Sequence, residues 1–159
     1  MAFVVEDGTG LSTANSYVSV ADFKSYWTDR NVTYTELDPE IKGWLINATQ
    51  YIDLNYTFKG EVSDSDQALQ FPRKYICDKN GNELASDKVP LQVVYATCEL
   101  GAINKTNKDL YEQNNVKSEK LGPVSVTYKD GVNNESYPVV TNYLKGLIKG
   151  SNSLTVNRV

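Results

Sequence analysis

A run of apolar residues at helical spacing, closed by a proline-fixed bend, constrains this chain more than any other stretch. Ile41, Trp44, Leu45, Ala48 and Ile52 recur at i, i+3, i+4, i+7 and i+11, which sets them on one face of an amphipathic helix. Asp38 suits the N-cap and Pro39 the first helical position, where its missing N–H costs nothing. The pattern predicts a helix over 39–56 as the central core element. Gly60 and the polar run Ser63 to Gln67 then mark a loop that closes on Gln70-Phe71-Pro72-Arg73. Pro72 pushes Phe71 into extended backbone, so the helix cannot continue there. Phe71 and Arg73 are expected to anchor this loop.

The other elements follow from caps and periodicity. Ser19 with Asp22 three residues on makes a capping box, and Val20, Phe23 and Trp27 share a face, predicting a helix over 19–30. Pro90 opens a helix over 90–104 with Leu91, Val94, Tyr95, Cys98 and Ala102 on one side. Pro138 opens the last, over 138–149, with Val140, Tyr143, Leu144, Leu147 and Ile148 on one face. Gly146 and Gly150 are expected to weaken that helix by about 1 kcal/mol each relative to Ala. Asn80-Gly81 between Tyr75-Ile76-Cys77 and Glu83-Leu84 predicts a β-hairpin over 75–85. Alternation of Val124, Val126 and Tyr128 with polar residues predicts a β-ribbon over 117–129. Gly8 to Asn15 reads as a flexible polar linker. The expected fold is one α-rich α+β domain over 1–150, with an extended tail over 151–159.

Composition narrows the chemistry. The 159 residues, 40% of them hydrophobic, suffice for one modest core. There is no histidine, so the usual general base near neutral pH and the commonest metal ligand are both missing. Cys77 and Cys98 stand in unrelated contexts, which points to plain thiols and to neither a zinc site nor a disulfide framework. Asp64 and Asp66 would hold a divalent ion only if other carboxylates converged on them, and the Asp78 to Asn82 turn lacks the closing glutamate of a calcium loop. We therefore expect no cofactor, no metal and no enzymatic activity. With 16 basic and 20 acidic residues the formal charge is -4, which argues against a dedicated high-affinity nucleic-acid binder. The 11 tyrosines suit either stacking on bases or filling a protein interface, both of which need an aromatic with a polar tip. No run of about 18 apolar residues and no basic-then-apolar leader occur, so a membrane span and a secretory signal are not expected.

Several short motifs in fixed order carry a family resemblance. Ser16-Tyr17-Val18-Ser19 leads into a helix, Ala48-Thr49-Gln50-Tyr51-Ile52-Asp53 lies in the next, and Gln70-Phe71-Pro72-Arg73 follows. Then come Val89-Pro90 and Ser118-Glu119-Lys120-Leu121-Gly122-Pro123 ahead of Ser125-Val126-Thr127-Tyr128. Over most of its length the chain resembles the head-to-tail connector (adaptor, head completion) proteins of tailed phages, often catalogued as DnaT-like single-stranded-DNA-binding. That resemblance implies a helical adaptor forming a homododecameric ring under the portal protein, next to a tail or tail-completion protein. DNA would pass through its channel without sequence-specific binding. The expected location is the virion neck, and the host cytoplasm during assembly. The alternative is a single-stranded DNA-binding protein of DnaT-like type.

The resemblance and the residues together nominate two sets of contacts. Tyr17, Phe71, Arg73 and Tyr128 are candidates for contacts between subunits. Tyr143, Leu144, Leu147 and Ile148, with Leu154, Val156 and Val159 of the tail, are candidates for the portal contact. Alternating apolar and polar residues in the tail suit an extended segment that orders on another chain.

Overall fold

A computed structural model describes residues 2–106, 110, 118–121, 124–127 and 137–150. Its elements are α1 (Val20–Thr28), α2 (Asp38–Asn55), β1 (Glu61–Val62), β2 (Arg73–Lys74), α3 (Leu91–Thr106), β3 (Ser118–Leu121), β4 (Val124–Thr127) and α4 (Pro138–Leu144). The fold is helix-rich α+β. β1 pairs antiparallel with β2, and β3 with β4 in the register Ser118 to Thr127 and Leu121 to Val124.

The caps form where the residue types demand them. Ser19 Oγ accepts from the Asp22 N–H at 3.1 Å and donates to the Asp22 carboxylate at 2.6 Å, fixing the start of α1. α2 begins one residue earlier than its cap was expected to: Leu37 occupies the N-cap position, and its N–H donates to Glu40 at 3.3 Å. Asp38 is thereby free to pair with Lys24 of α1 at 2.8 Å. Along α2, Ile41, Leu45, Ala48 and Ile52 are fully buried and Trp44 half-buried, as their spacing requires.

α3, and not α2, is the hub, since it packs against α1, α2 and α4. Its buried residues are Val93, Ala96, Thr97, Cys98, Leu100, Gly101 and Asn104. Leu91 is exposed and Val94, Tyr95 and Ala102 are half-buried, so the inward face is turned from the one the spacing suggested. A helix covered on three sides is apolar nearly all round, and periodicity then marks no single face.

α4 is shorter than expected. It ends at Leu144 with Lys145 as C-cap, because the chain beyond turns and runs beside residues 57–59. Lys59 N–H donates to Leu147 O at 2.9 Å, Lys149 N–H to Thr57 O at 2.8 Å, and Phe58 bridges antiparallel to Ile148. Gly146 and Gly150 therefore lie outside the helix and do not weaken it. The 75–85 segment likewise makes a tight turn without a ladder: Cys77 and Glu83 form one isolated bridge, braced by Leu84 N–H to Ile76 O at 2.8 Å. The sheet partner near there is instead β1 with β2.

The N-terminal loop is pinned. The buried carboxylate of Glu6 accepts from the N–H groups of Gly8, Gly10 and Leu11 at 2.9, 2.8 and 2.9 Å. Each would otherwise be an unmet donor. Gly60 plays a comparable role at the mouth of β1, where φ is +67° and a Cβ would stand 2.2 Å from Lys74 O. Gly60→Ala should lower stability by about 2–4 kcal/mol, since it adds strain at positive φ to a backbone clash. Denaturant unfolding checks this, and a loss under about 1 kcal/mol would show that the loop yields.

Candidate functional site

Two polar or aromatic constellations stand out, one buried and one at the surface. The buried one is a joint around Asp53, near the end of α2. Its Oδ1 accepts from Tyr17 Oη at 2.6 Å and its Oδ2 from Gln70 N–H at 3.1 Å. Tyr17 Oη in turn accepts from Phe71 N–H at 3.2 Å. Phe71, whose bond to Pro72 is cis, is fully buried and meets Phe58 and Tyr17 edge-on at 4.7 and 6.2 Å. Arg73 Nε donates to Lys59 O at 2.8 Å, Nη2 to Gly60 O at 3.0 Å, and Nη1 to Gln70 O and Oε1 at 3.1 and 2.9 Å. A guanidinium is the one side chain with enough donors in a fixed fork to satisfy all four acceptors.

The surface constellation is an aromatic seam. α1 carries Tyr26 and Trp27, the loop after it returns Tyr34, and α2, α3 and α4 add Trp44, Tyr95 and Tyr143. Ring centroids follow one another from Trp44 to Tyr34 at 6.4 Å, Trp27 at 5.9 Å and Tyr26 at 5.3 Å. The seam continues to Tyr95 at 5.3 Å and Tyr143 at 5.8 Å. Tyr26 is buried and the other five are half-buried, so ring edges and partial faces remain accessible. Two cations border the seam. Exposed Arg30 lays its guanidinium 3.5 Å from the Tyr26 ring centroid and donates to Tyr26 O at 2.9 Å. Lys105 sits 5.0 Å from the Tyr34 centroid while pairing with Glu36. Tyr26 Oη donates to Glu99 at 2.7 Å, and burial, then Tyr143, then Glu99 raise its pKa, so the phenol stays protonated.

Among the described residues no group of three His, Cys, Asp or Glu side chains could hold a metal ion. Burial pushes the Cys98 thiol up to about 12, leaving no thiolate near neutrality. The seam's rings meet edge-on or tilted, at interplanar angles of 41–85°, so it offers separate half-exposed ring edges and partial faces with two cations beside them, which can each pack against a planar π-system. Among the described residues no helix is long and apolar enough to cross a membrane.

Comparison with protein-family models finds a match over the whole chain. The model of the family described as "Putative DnaT-like ssDNA binding protein" matches residues 1–159. The chain belongs to this family. No curated protein and no solved structure matches it.

The residues nominated from sequence fall in three places. Tyr17, Phe71 and Arg73 come together, but inside the fold, where their side chains are taken up by the joint. Leu144 and Leu147 are buried in the protein's own core, so the apolar face of the last helix is already covered. Tyr143 and Ile148 remain half-exposed, the first as the end of the seam. Tyr128, Leu154, Val156 and Val159 lie outside the described residues. Sequence reasoning missed Asp53, Arg30, Tyr34 and Trp44 as a set. The available signal was the tyrosine count, which carries no positions.

Burial raises the Asp53 carboxyl to about 6, against the favourable bonds from Tyr17 and Gln70 and the charge of Arg73. The folded protein then holds a proton on Asp53 more tightly than the unfolded chain does. Its stability contribution is complete below about pH 4 and is lost as pH rises through about 6, a change of roughly 3 kcal/mol. The stability difference between wild type and Asp53→Asn should accordingly fall across that window. Unfolding curves at a series of pH values test it, and a difference that is flat or grows with pH would contradict the assignment.

Proposed function

We propose that this protein binds single-stranded DNA without sequence preference and without catalysing a reaction, using the aromatic seam as a stacking surface. The observation that carries the reading is the run from Trp44 through Tyr34, Trp27, Tyr26 and Tyr95 to Tyr143, with Arg30 against it. Base-on-aromatic stacking is worth about 1–3 kcal/mol per base and tolerates any base, because every base has a π-face. Family membership supports the same reading. The charge of -4 sets its character. Long-range attraction to a polyanion is missing, so affinity comes from stacking and a few local cations.

A second reading is favoured by that same acidic balance and by the motif order from Ser16 to Tyr128: a non-enzymatic head-to-tail adaptor ring under a phage portal. An acidic wall suits a channel through which DNA slides without sticking. In that reading the contact with the portal falls to Tyr143, Ile148 and residues 151–159, since Leu144 and Leu147 are used in the core. The mass of the purified chain alone and mixed with its portal protein separates the two: a ring joined to the portal with no oligonucleotide binding selects the adaptor.

For single-strand binding, fluorescence anisotropy with a labelled thymidine oligomer is the direct assay. Binding should persist at physiological ionic strength, with log K falling against log salt at a slope of only about -1.4 to -2.1, as neutralising two or three phosphates gives. Arg30→Ala should weaken it about fivefold, the worth of one cation at a stacked site, while losing only about 0.5–1 kcal/mol of stability from its contact with Tyr26, so that the variant stays folded at the assay temperature. No binding by the wild type, or equal binding by the variant, would sink the reading.

A further inference from the structure

Beyond Tyr143 the surface opens into a cavity of about 650 Å³, between the first turn of α3, the Asp78-Lys79 turn and the end of α4. That volume falls within the range of about 300–1,000 Å³ common for small-molecule sites. We infer that this cavity is a subsite for one nucleotide, with the base against Tyr143 and the phosphate between Lys79 and Lys145. The inference rests on the single-strand reading and gives it a specific end point.

Charge is the first argument. The chain as a whole is acidic, yet the cavity wall carries Lys79 and Lys145 against one carboxylate, that of Asp78. Asp78 is already committed to its own turn, accepting from Asn80 N–H at 2.8 Å, Asn82 N–H at 2.9 Å and Asn82 Nδ2 at 3.1 Å. Among the described residues neither lysine is in an ion pair. Two ammonium groups beside a satisfied carboxylate favour an anion.

Shape and hydrogen bonding are the second. Tyr143 meets Tyr95 edge-on, and its hydroxyl lies 3.4 Å from that of Tyr26, so the polar tip faces the seam while the ring lines the cavity. The side-chain amides of half-buried Gln92 and exposed Asn142 also line it. An amide can both donate and accept, which matches the mixed edge of any base. The wall is preformed: Lys59 Nζ donates to Gly146 O at 3.0 Å, and at Gly146 an added Cβ would stand 3.4 Å from Lys79 N, so the two turns already touch. An aromatic ring, two side-chain amides and two ammonium groups on one cavity wall are together the groups that hold a base and its phosphate.

The test uses amide NMR shifts of the labelled full chain, titrated separately with thymidine monophosphate, inorganic phosphate and a thymidine oligomer. The monophosphate and the oligomer should move the amides of Lys79, Asn142 and Lys145, and phosphate alone should move the two lysines less. The double variant Lys79→Glu, Lys145→Glu changes exposed positions, so its fold should persist; it should lose these shifts and bind the oligomer about tenfold more weakly. If the oligomer binds at the seam while the cavity amides stay still, or if the double variant binds as well as wild type, the subsite is overturned and the single-strand reading stands. If the monophosphate binds and the oligomer does not, the cavity stands as a free-nucleotide site and the single-strand reading falls. If neither binds, both fall.

Discussion

The Asp53 carboxylate, held between the hydroxyl of Tyr17 and the N–H of Gln70, is the contact on which the rest of the arrangement depends. It ties three segments distant in sequence: the strand-like entry to α1, the end of α2 and the bend before β2. Arg73 extends the tie by gathering the carbonyls of Lys59, Gly60 and Gln70. Residues 57–59, positioned in this way, then receive the chain that leaves α4. Each such bond contributes only about 0.5–3 kcal/mol net. Breaking one leaves a buried group unmet, so the joint acts mainly by making alternative registers expensive.

That division of labour leaves the other side of the helices free to be a surface. α1, α2, α3 and α4 share one apolar interior that includes Tyr26, and Trp27, Tyr34, Trp44, Tyr95 and Tyr143, packed against it, line up because the segments carrying them meet there. Tyrosine and tryptophan suit the position, since one end packs while the other meets water or a partner. Trp27 shows both, with its ring in the seam and its Nε1 donating to Cys98 O at 3.4 Å. The joint and the seam share no residue, so a change at the exposed edge of the seam need not disturb the fold.

Much of the fold was legible in sequence because helix starts are local chemistry. Ser19 with Asp22, Pro39, and Pro138 each mark a start within a residue or two of where it lies. The inward stripe of α2 was legible because one face meets the core and the other meets water. α3 was not, since three neighbours cover it and its pattern has no single phase. The joint was half legible: Phe71 and Arg73 stood out as an anchor, but the partners of Arg73 are backbone carbonyls, which every residue carries and no sequence distinguishes. Asp53 looked like an ordinary polar position on α2 because its partners lie 36 and 17 residues away. Net charge likewise hid the local excess of lysine around the cavity beside Tyr143.

Hydrogen–deuterium exchange of the full chain, with and without a saturating thymidine oligomer, tests the separation of fold and binding surface most directly. The account predicts slower exchange on binding in the segment from Trp27 to Tyr34 and around Tyr143 to Gly146, with the amides of Gln70, Phe71 and Arg73 unchanged. Protection confined to the Phe71 to Arg73 bend, or absent everywhere, would contradict it.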